Sequence, residues 1–264
     1  MELRGRTVLV TGATGGLGTA IVRALAARGA VPVLTGRRSD VLEPLALETG
    51  GRAVAADLSL AADVDRLLDE AGAVDVLVAN AGLPGSGHLT SFSVEEIDRA
   101  LAVNLRAPIV MARRLAEPMA GRGAGHMVFV SSLSGKAASG GGSVYAATKF
   151  GLRGFAHGLR EDLRDAGVGV SVVLPGFIRD SGMFHDAGVK LPAFLGTRTP
   201  QDVAAAVVRA IERDRAEVEV APLPMRAGAA FAGLAPELSA RVQRRLGGAK
   251  VAEDMARGQA SKRA

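Results

Sequence analysis

Thr7-Val8-Leu9-Val10-Thr11-Gly12-Ala13-Thr14-Gly15-Gly16-Leu17-Gly18 is the stretch on which the reading of this 264-residue chain turns. Its first residues form an apolar, β-branched run of strand type that passes without a spacer into a glycine-rich turn. Beyond the glycines, Ile21, Val22, Leu25 and Ala26 recur at helical spacing until Arg28-Gly29. Strand, turn and helix in that order aim backbone N–H groups and the positive end of a helix dipole at one point, which suits the pyrophosphate of a dinucleotide. Glycine permits positive φ there and lets a ligand come close to the backbone. Gly12, Thr14, Gly15, Gly16, Leu17 and Gly18 are therefore candidate cofactor contacts. The spacing is G-x-x-x-G-x-G, and no Lys-Ser or Lys-Thr follows to make a nucleoside-triphosphate loop.

The next apolar run, Val31-Pro32-Val33-Leu34-Thr35, ends in Gly36-Arg37-Arg38. An NAD-preferring protein places Asp or Glu at this point to hold the ribose 2′-hydroxyl. Two arginines instead offer planar, permanently charged donors matched to phosphate. Arg37 and Arg38 thus predict a grip on a 2′-phosphate and a preference for NADP(H) over NAD(H).

Farther along, Val74–Ala79, Met127–Val130 and Val168–Leu174 are continuous apolar runs, the pattern of parallel strands covered on both faces. Helical stretches alternate with them, which predicts an α/β, Rossmann-like, doubly wound sheet with helices on both faces. Ser93 with Glu96 makes a capping box, and Thr199-Pro200-Gln201-Asp202 opens another helix with proline at its first position. Gly29, Gly72 and Gly167 stand where helices should stop. Glu217–Ala221 reads as a seventh strand, and residues 225–246 as one amphipathic helix. No repeat or interdomain linker interrupts the pattern. One domain over residues 1–248 suffices, with a basic, flexible tail at 249–264.

Tyr145, the single tyrosine of the chain, precedes Lys149 by four positions, so both share one helical face. A neighbouring ammonium favours an ionised phenol and brings its titration down from about 10, giving a proton donor and acceptor usable near neutrality.

With the glycine turn, these residues resemble the short-chain dehydrogenase/reductase family in its compact single-domain branch. The Thr-Gly-x-x-x-Gly-x-Gly turn and Tyr-x-x-x-Lys are that branch's cofactor and catalytic signatures, and the likeness extends over about residues 5–220. Asp57-Leu58, Asn80-Ala81-Gly82, Asn104, Ser132 and Pro175-Gly176 fall in the same register. The resemblance implies about seven parallel strands and hydride transfer between a nicotinamide and a carbonyl or secondary alcohol. Tyr145 would then be the proton donor and Ser132 would hydrogen-bond the reacting oxygen. Lys149 would tune the phenol and bind the nicotinamide ribose, and Asn104 would hold a water from a locally distorted helix. Family spacing selects Ser132 over Ser131, Ser134, Ser139 and Ser143, the last of which reads as a helix cap.

The same resemblance puts Asp57 and Leu58 beside the adenine, although Asp57 also suits the cap of the next helix. It puts Asn80, Ala81 and Gly82 along the adenosine ribose, and Pro175, Gly176 and Ile178 at the nicotinamide. Many relatives carry threonine five positions after the proline; this chain has Asp180 and then Ser181. A substrate lid is expected over residues 179–198, with Met183, Phe184, Val189, Leu191, Phe194 and Leu195 suited to a hydrophobic small molecule. Relatives pair into homodimers or homotetramers.

The absence of cysteine excludes disulfides, thiolate metal sites and cysteine nucleophiles, and four scattered histidines predict no metal site. The net charge of +5 comes from an arginine-rich composition and suits an anionic cofactor; without tryptophan or a nucleic-acid motif, no nucleic-acid partner is expected. No apolar run is long enough to span a membrane, and Met1–Arg6 enters the first strand directly, so the expected location is cytoplasmic. Two other functions fit the same fold: an NADP(H)-sensing regulatory protein without turnover, and a non-redox lyase or epimerase using bound nicotinamide.

Overall fold

A computed structural model describes residues 1–188, 196–245 and 248–259. The β-branched run gives β1, Thr7–Thr11, and the helix after the glycines gives α1, Gly16–Ala26. The alternation continues with β2 (Val31–Gly36), α2 (Ser39–Thr49), β3 (Arg52–Ala55), α3 (Ala61–Ala71) and β4 (Val76–Ala79). Then come α4 (Val94–Leu101), α5 (Ala107–Gly121), β5 (Gly125–Val130), α6 (Ser143–Asp162) and β6 (Val168–Pro175). The chain goes on through α7 (Met183–Asp186), α8 (Pro200–Glu212) and β7 (Glu217–Val220), and closes with α9 (Leu223–Leu234), α10 (Pro236–Arg245) and α11 (Gly248–Gln259).

The seven strands form one parallel sheet in the order β3-β2-β1-β4-β5-β6-β7. Order reverses between β1 and β4, and the loops leaving those two strands open a crevice at their carboxyl ends. Because side chains alternate across a strand, the two faces have different cores. Val8, Val10, Val76, Val78, Val128 and Val130 meet α1, α2 and α8 on one side. The larger Leu9, Leu77, Met127 and Phe129 meet α3, α5 and α6 on the other. Phe129 is fully buried and stands edge-on to Phe155, with ring centroids 5.5 Å apart. Each such fully buried side chain contributes roughly 1.5–3 kcal/mol through removal from water.

Both expected N-terminal caps are present: Ser93 and Glu96 form a reciprocal box, as do Thr199 and Asp202. Gly72 and Gly167 carry positive φ at the ends of their helical segments. Two expectations are corrected. Residues 225–246 are not one helix, because Pro236 lacks the N–H a continuing turn requires; α9 ends at Leu234 and α10 begins after Ala235. Ser143 does not cap α6 but is its first residue, with Gly142 in the cap position and no side-chain cap bond. Within the stretch expected as a tail, Gly248–Gln259 forms α11, with Gln259 buried and bonded to the Met183 carbonyl, and 260–264 lie outside the described residues. No helix among the described residues is long and apolar enough to cross a membrane.

Candidate active site

The glycine turn is dictated by contact as much as by conformation. Gly12 has φ 65°, and a Cβ there would fall 2.8 Å from Ala81 Cα. A Cβ on Gly18 would fall 2.1 Å from the Gly12 carbonyl oxygen, so the first turn of α1 can pack on the loop only if that position is bare. The first helical bond closes from Thr19 N–H to the Gly15 carbonyl. The N–H groups of Gly16, Leu17 and Gly18 thus lie in the first turn, where a helix has no internal acceptors for them.

Asn80 supports this turn from β4. Its Nδ2 donates to the carbonyls of Thr11 (3.0 Å) and Gly12 (3.3 Å), while the N–H groups of Asn80 and Ala81 donate to Thr11 Oγ1. Arg38 donates to the Thr14 carbonyl at 2.8 Å and ties the end of β2 to the glycine turn. Arg37 is exposed and makes no hydrogen bond among the described residues. Asp57 accepts from the Ser59 N–H and hydroxyl, at 2.9 and 2.7 Å, and faces Arg99 at 3.5 Å. Burial pushes the Asp57 carboxyl up, but the two Ser59 bonds and the arginines leave it below its ordinary value.

Near the other end of the crevice, β5 delivers Ser132 and α6 delivers Tyr145 and Lys149. Ser132 Oγ accepts from the Ser134 N–H at 3.1 Å, donates to the Pro175 carbonyl at 3.4 Å and acts on the Tyr145 phenol. Burial pushes that phenol up to about 12, while Ser132 pulls in the opposite direction. Lys149 is nearly inaccessible; its Nζ donates to the Val130 carbonyl at 3.0 Å and lies 5.5 Å from the Tyr145 ring centroid. Burial lowers this ammonium to about 8. The expected depression of the phenol by its lysine is not found: desolvation raises the phenol, and the opposing pull comes from Ser132.

Asn104 is fully buried in a π-turn, Ala102–Arg106, a local widening of the helix between α4 and α5. Its Oδ1 accepts from the Leu83 N–H at 2.6 Å, and its Nδ2 donates to the Leu83 carbonyl and to Thr148 Oγ1. Thr148 Oγ1 in turn donates to the Tyr145 carbonyl at 2.8 Å. The amide thereby braces the helical turn that carries both Tyr145 and Lys149. A Cβ placed on Gly82 would lie 3.5 Å from Asn104 Oδ1 and 3.6 Å from Lys149 Nζ, so β4, α6 and the π-turn converge there.

Ser132, Tyr145, Lys149 and Asn80 line one cavity of about 1540 Å³, together with the glycine turn, Arg37, Arg38, Asp57, Leu58, Ala81, Gly82, Pro175, Gly176 and Ile178. Asn104 and its partner Thr148 do not line it; Asn104 stands behind Gly82. Asp180 does not line the cavity: it has φ 71° and pairs outward with Arg179 at 3.5 Å. Ser181 faces the cavity instead, packed on Gly16, and its buried Oγ has no partner among the described residues. Arg99 Nε, also buried at the cavity, has none either. A bare glycine cradle, a basic rim and unpartnered donors fit a dinucleotide.

Arg99, Met225, Phe231, Met255 and Gln259 line the cavity without having been singled out in the sequence. They come from α4 and the C-terminal helices and carry no motif; amphipathic spacing alone could not aim them here. Of the expected lid, Met183 and Phe184 line the cavity, whereas Val189, Leu191, Phe194 and Leu195 lie outside the described residues.

The chain matches the family model described as short chain dehydrogenase over residues 6–190. It is 38% identical over 232 residues to the ketoacyl reductase HetN of a Nostoc species, covering 84% of this chain and 81% of that protein. A short-chain dehydrogenase from Sphingobium yanoikuyae in complex with NADPH superposes with a TM-score of 0.76 at 30% identity, covering 89% of this chain and 95% of that one. A 3-ketoacyl-(acyl-carrier-protein) reductase from Brucella melitensis complexed with NADH gives 0.73 at 28% identity, covering 83% and 97%.

Proposed function

The chain belongs to the short-chain dehydrogenase family and is an oxidoreductase acting on CH–OH groups, and on that footing we propose that it reduces an apolar, ketoacyl-like ketone with NADPH, or runs the reverse oxidation. When bound, the dinucleotide supplies or accepts the hydride. Gly12, Thr14, Gly15, Gly16, Leu17 and Gly18 would hold its pyrophosphate, and Asp57, Leu58, Asn80, Ala81 and Gly82 its adenosine. Pro175, Gly176, Ile178 and Ser181 would lie along the nicotinamide. Arg37, exposed at the rim and free of hydrogen bonds among the described residues, is the group best placed to grip a 2′-phosphate. Arg38 would add charge while holding Thr14.

Tyr145 would deliver its proton to the carbonyl oxygen as that atom gains charge, and Ser132 would donate a hydrogen bond to the same oxygen. The Lys149 ammonium would stabilise the phenolate left behind. Asn104 would keep Tyr145 and Lys149 in register. The observation that most supports the reading is that Ser132, Tyr145 and Lys149 share one cavity with the glycine turn. Homodimers or homotetramers are the proposed assembly, supported by apolar Leu101 and Phe150 standing exposed on α4 and α6.

A panel of β-ketoacyl thioesters, steroid ketones and aromatic ketones, followed by NADPH absorbance with product analysis, tests the proposal. Alcohol formed in equal amount to NADPH consumed is the expected result. NADPH binding without turnover of any ketone would overturn it in favour of a sensing role.

A further inference from the structure

Gln259 closes α11, and at 2% exposure it is far more buried than glutamine usually is. Its Nε2 donates to the Met183 carbonyl at 3.1 Å, which fixes the orientation of the amide and leaves Oε1 as its free end. Oε1 is buried and has no hydrogen-bond partner among the described residues. A buried acceptor without a donor is costly, and such groups in folded proteins call for an explanation.

The side chain lines the same cavity as Tyr145. Met183, which it holds, has its Cε 3.7 Å from the Cβ position of Gly82, the point that also lies 3.6 Å from Lys149 Nζ. One methionine therefore separates Gln259 from the lysine. The contact between α11 and the lid is close: a Cβ on Gly258 would fall 2.5 Å from Ala187 Cα. Met183, Met255, Phe231 and Val242 supply apolar wall here, with Ser239 and Arg244 of α10 lining the same cavity, a surrounding in which Arg244 would repel an ammonium and the amide oxygen would repel an anion.

We propose that Gln259 is a specificity-determining residue that reads an uncharged N–H or O–H donor on an otherwise apolar substrate, while its other amide end holds the lid at Met183. The inference rests on the reductase reading of the site for where substrate enters. It adds the chemistry of a group remote from the reacting carbonyl, read by the side chain that also holds the Met183 carbonyl.

The test compares three β-oxodecanoyl thioesters in the full chain with NADPH. The N-acetylcysteamine thioester carries an amide N–H; the acetoxyethanethiol thioester has an ester oxygen in its place; the mercaptoethanol thioester ends in a hydroxyl and separates the two donor types. At least one donor-bearing thioester should exceed the donor-free one by about tenfold in kcat/KM. Gln259→Met, which keeps length and loses both hydrogen bonds, should bring that ratio close to one. Equal values for all three in the wild type, or a preference that survives in Gln259→Met, would overturn the proposal. Half-saturating concentrations for raising Tm in the presence of NADP+, which has no hydride to give the ketone, should show the same ratio without turnover. Loss of the reductase reading and loss of this inference are thus seen separately.

Discussion

Tyr145 is pulled in opposite directions by its surroundings. Burial raises the phenol to about 12 and Ser132 lowers it, while its lysine is itself brought down to about 8 by burial. The four-residue spacing told which two side chains share a face; how much water their folded positions lose was not written in that spacing. Tyr145→Phe removes the proton but keeps the ring. Turnover should fall by about a thousandfold or more, with NADPH affinity changed by no more than a few-fold, measured by steady-state kinetics beside fluorescence titration. Arg37→Asp should swap a phosphate grip for a ribose-hydroxyl acceptor, and the ratio of kcat/KM for NADPH over NADH should drop by about tenfold or more. Unchanged preference would show that the rim arginine does not read the phosphate. Asp180 and Ser181 show the limit of reading by position. Positive φ at Asp180 turns its carboxylate outward to Arg179 and brings the next side chain to the cavity, a backbone event that counting from Pro175 does not reveal.

At the scale of elements, local chemistry was the most legible. Ser93 accepts from the Glu96 N–H at 3.2 Å and Glu96 accepts from the Ser93 N–H at 2.9 Å, satisfying two donors that the start of α4 would otherwise strand. Ser93→Ala should cost about 1 kcal/mol in denaturant unfolding, with the slope unchanged. The widened turn at Ala102–Arg106 carries no residue that dictates it. Its support is the Asn104 amide bridging Leu83 and Thr148, partners 21 and 44 residues away. The C-terminal helices were the hardest to place. Pro236 announced a break that amphipathic spacing across residues 225–246 concealed, and α11 is anchored by Gln259 on Met183, 76 residues distant. A polar, alanine-rich segment gives no sign of such docking until the surface it meets exists.

Across the whole molecule, the sheet brings together groups whose ionisation links folding to pH. His126 on β5 is buried beside Ser171 on β6, with its Nε2 2.8 Å from the Ser171 hydroxyl, and burial lowers it from 6.5 to about 4. A depressed folded value means that the neutral ring favours the fold. Its contribution is complete above pH 6.5 and is lost as pH falls toward about 4, a change of roughly 3 kcal/mol at most. Unfolding free energy measured between those limits should decline for the wild type and flatten in His126→Gln; equal slopes would refute the assignment. Glu217 adds a second loss at lower pH. Burial pushes its carboxyl up, but bonds from Arg153, His157 and Lys136 bring it down to about 2. By itself the sequence determined the strand-turn-helix at the start of the chain, the apolar strands, the caps and the pairing of Tyr145 with Lys149. Each of these follows from backbone freedom, side-chain period or spacing within a few residues. Only the tertiary structure decided which face of the sheet met which helices, how far burial moved the phenol and the lysine, and that Arg99 and Gln259 reach the cavity. Those outcomes depend on contacts between residues far apart in the chain, and on the water that folding removes around them.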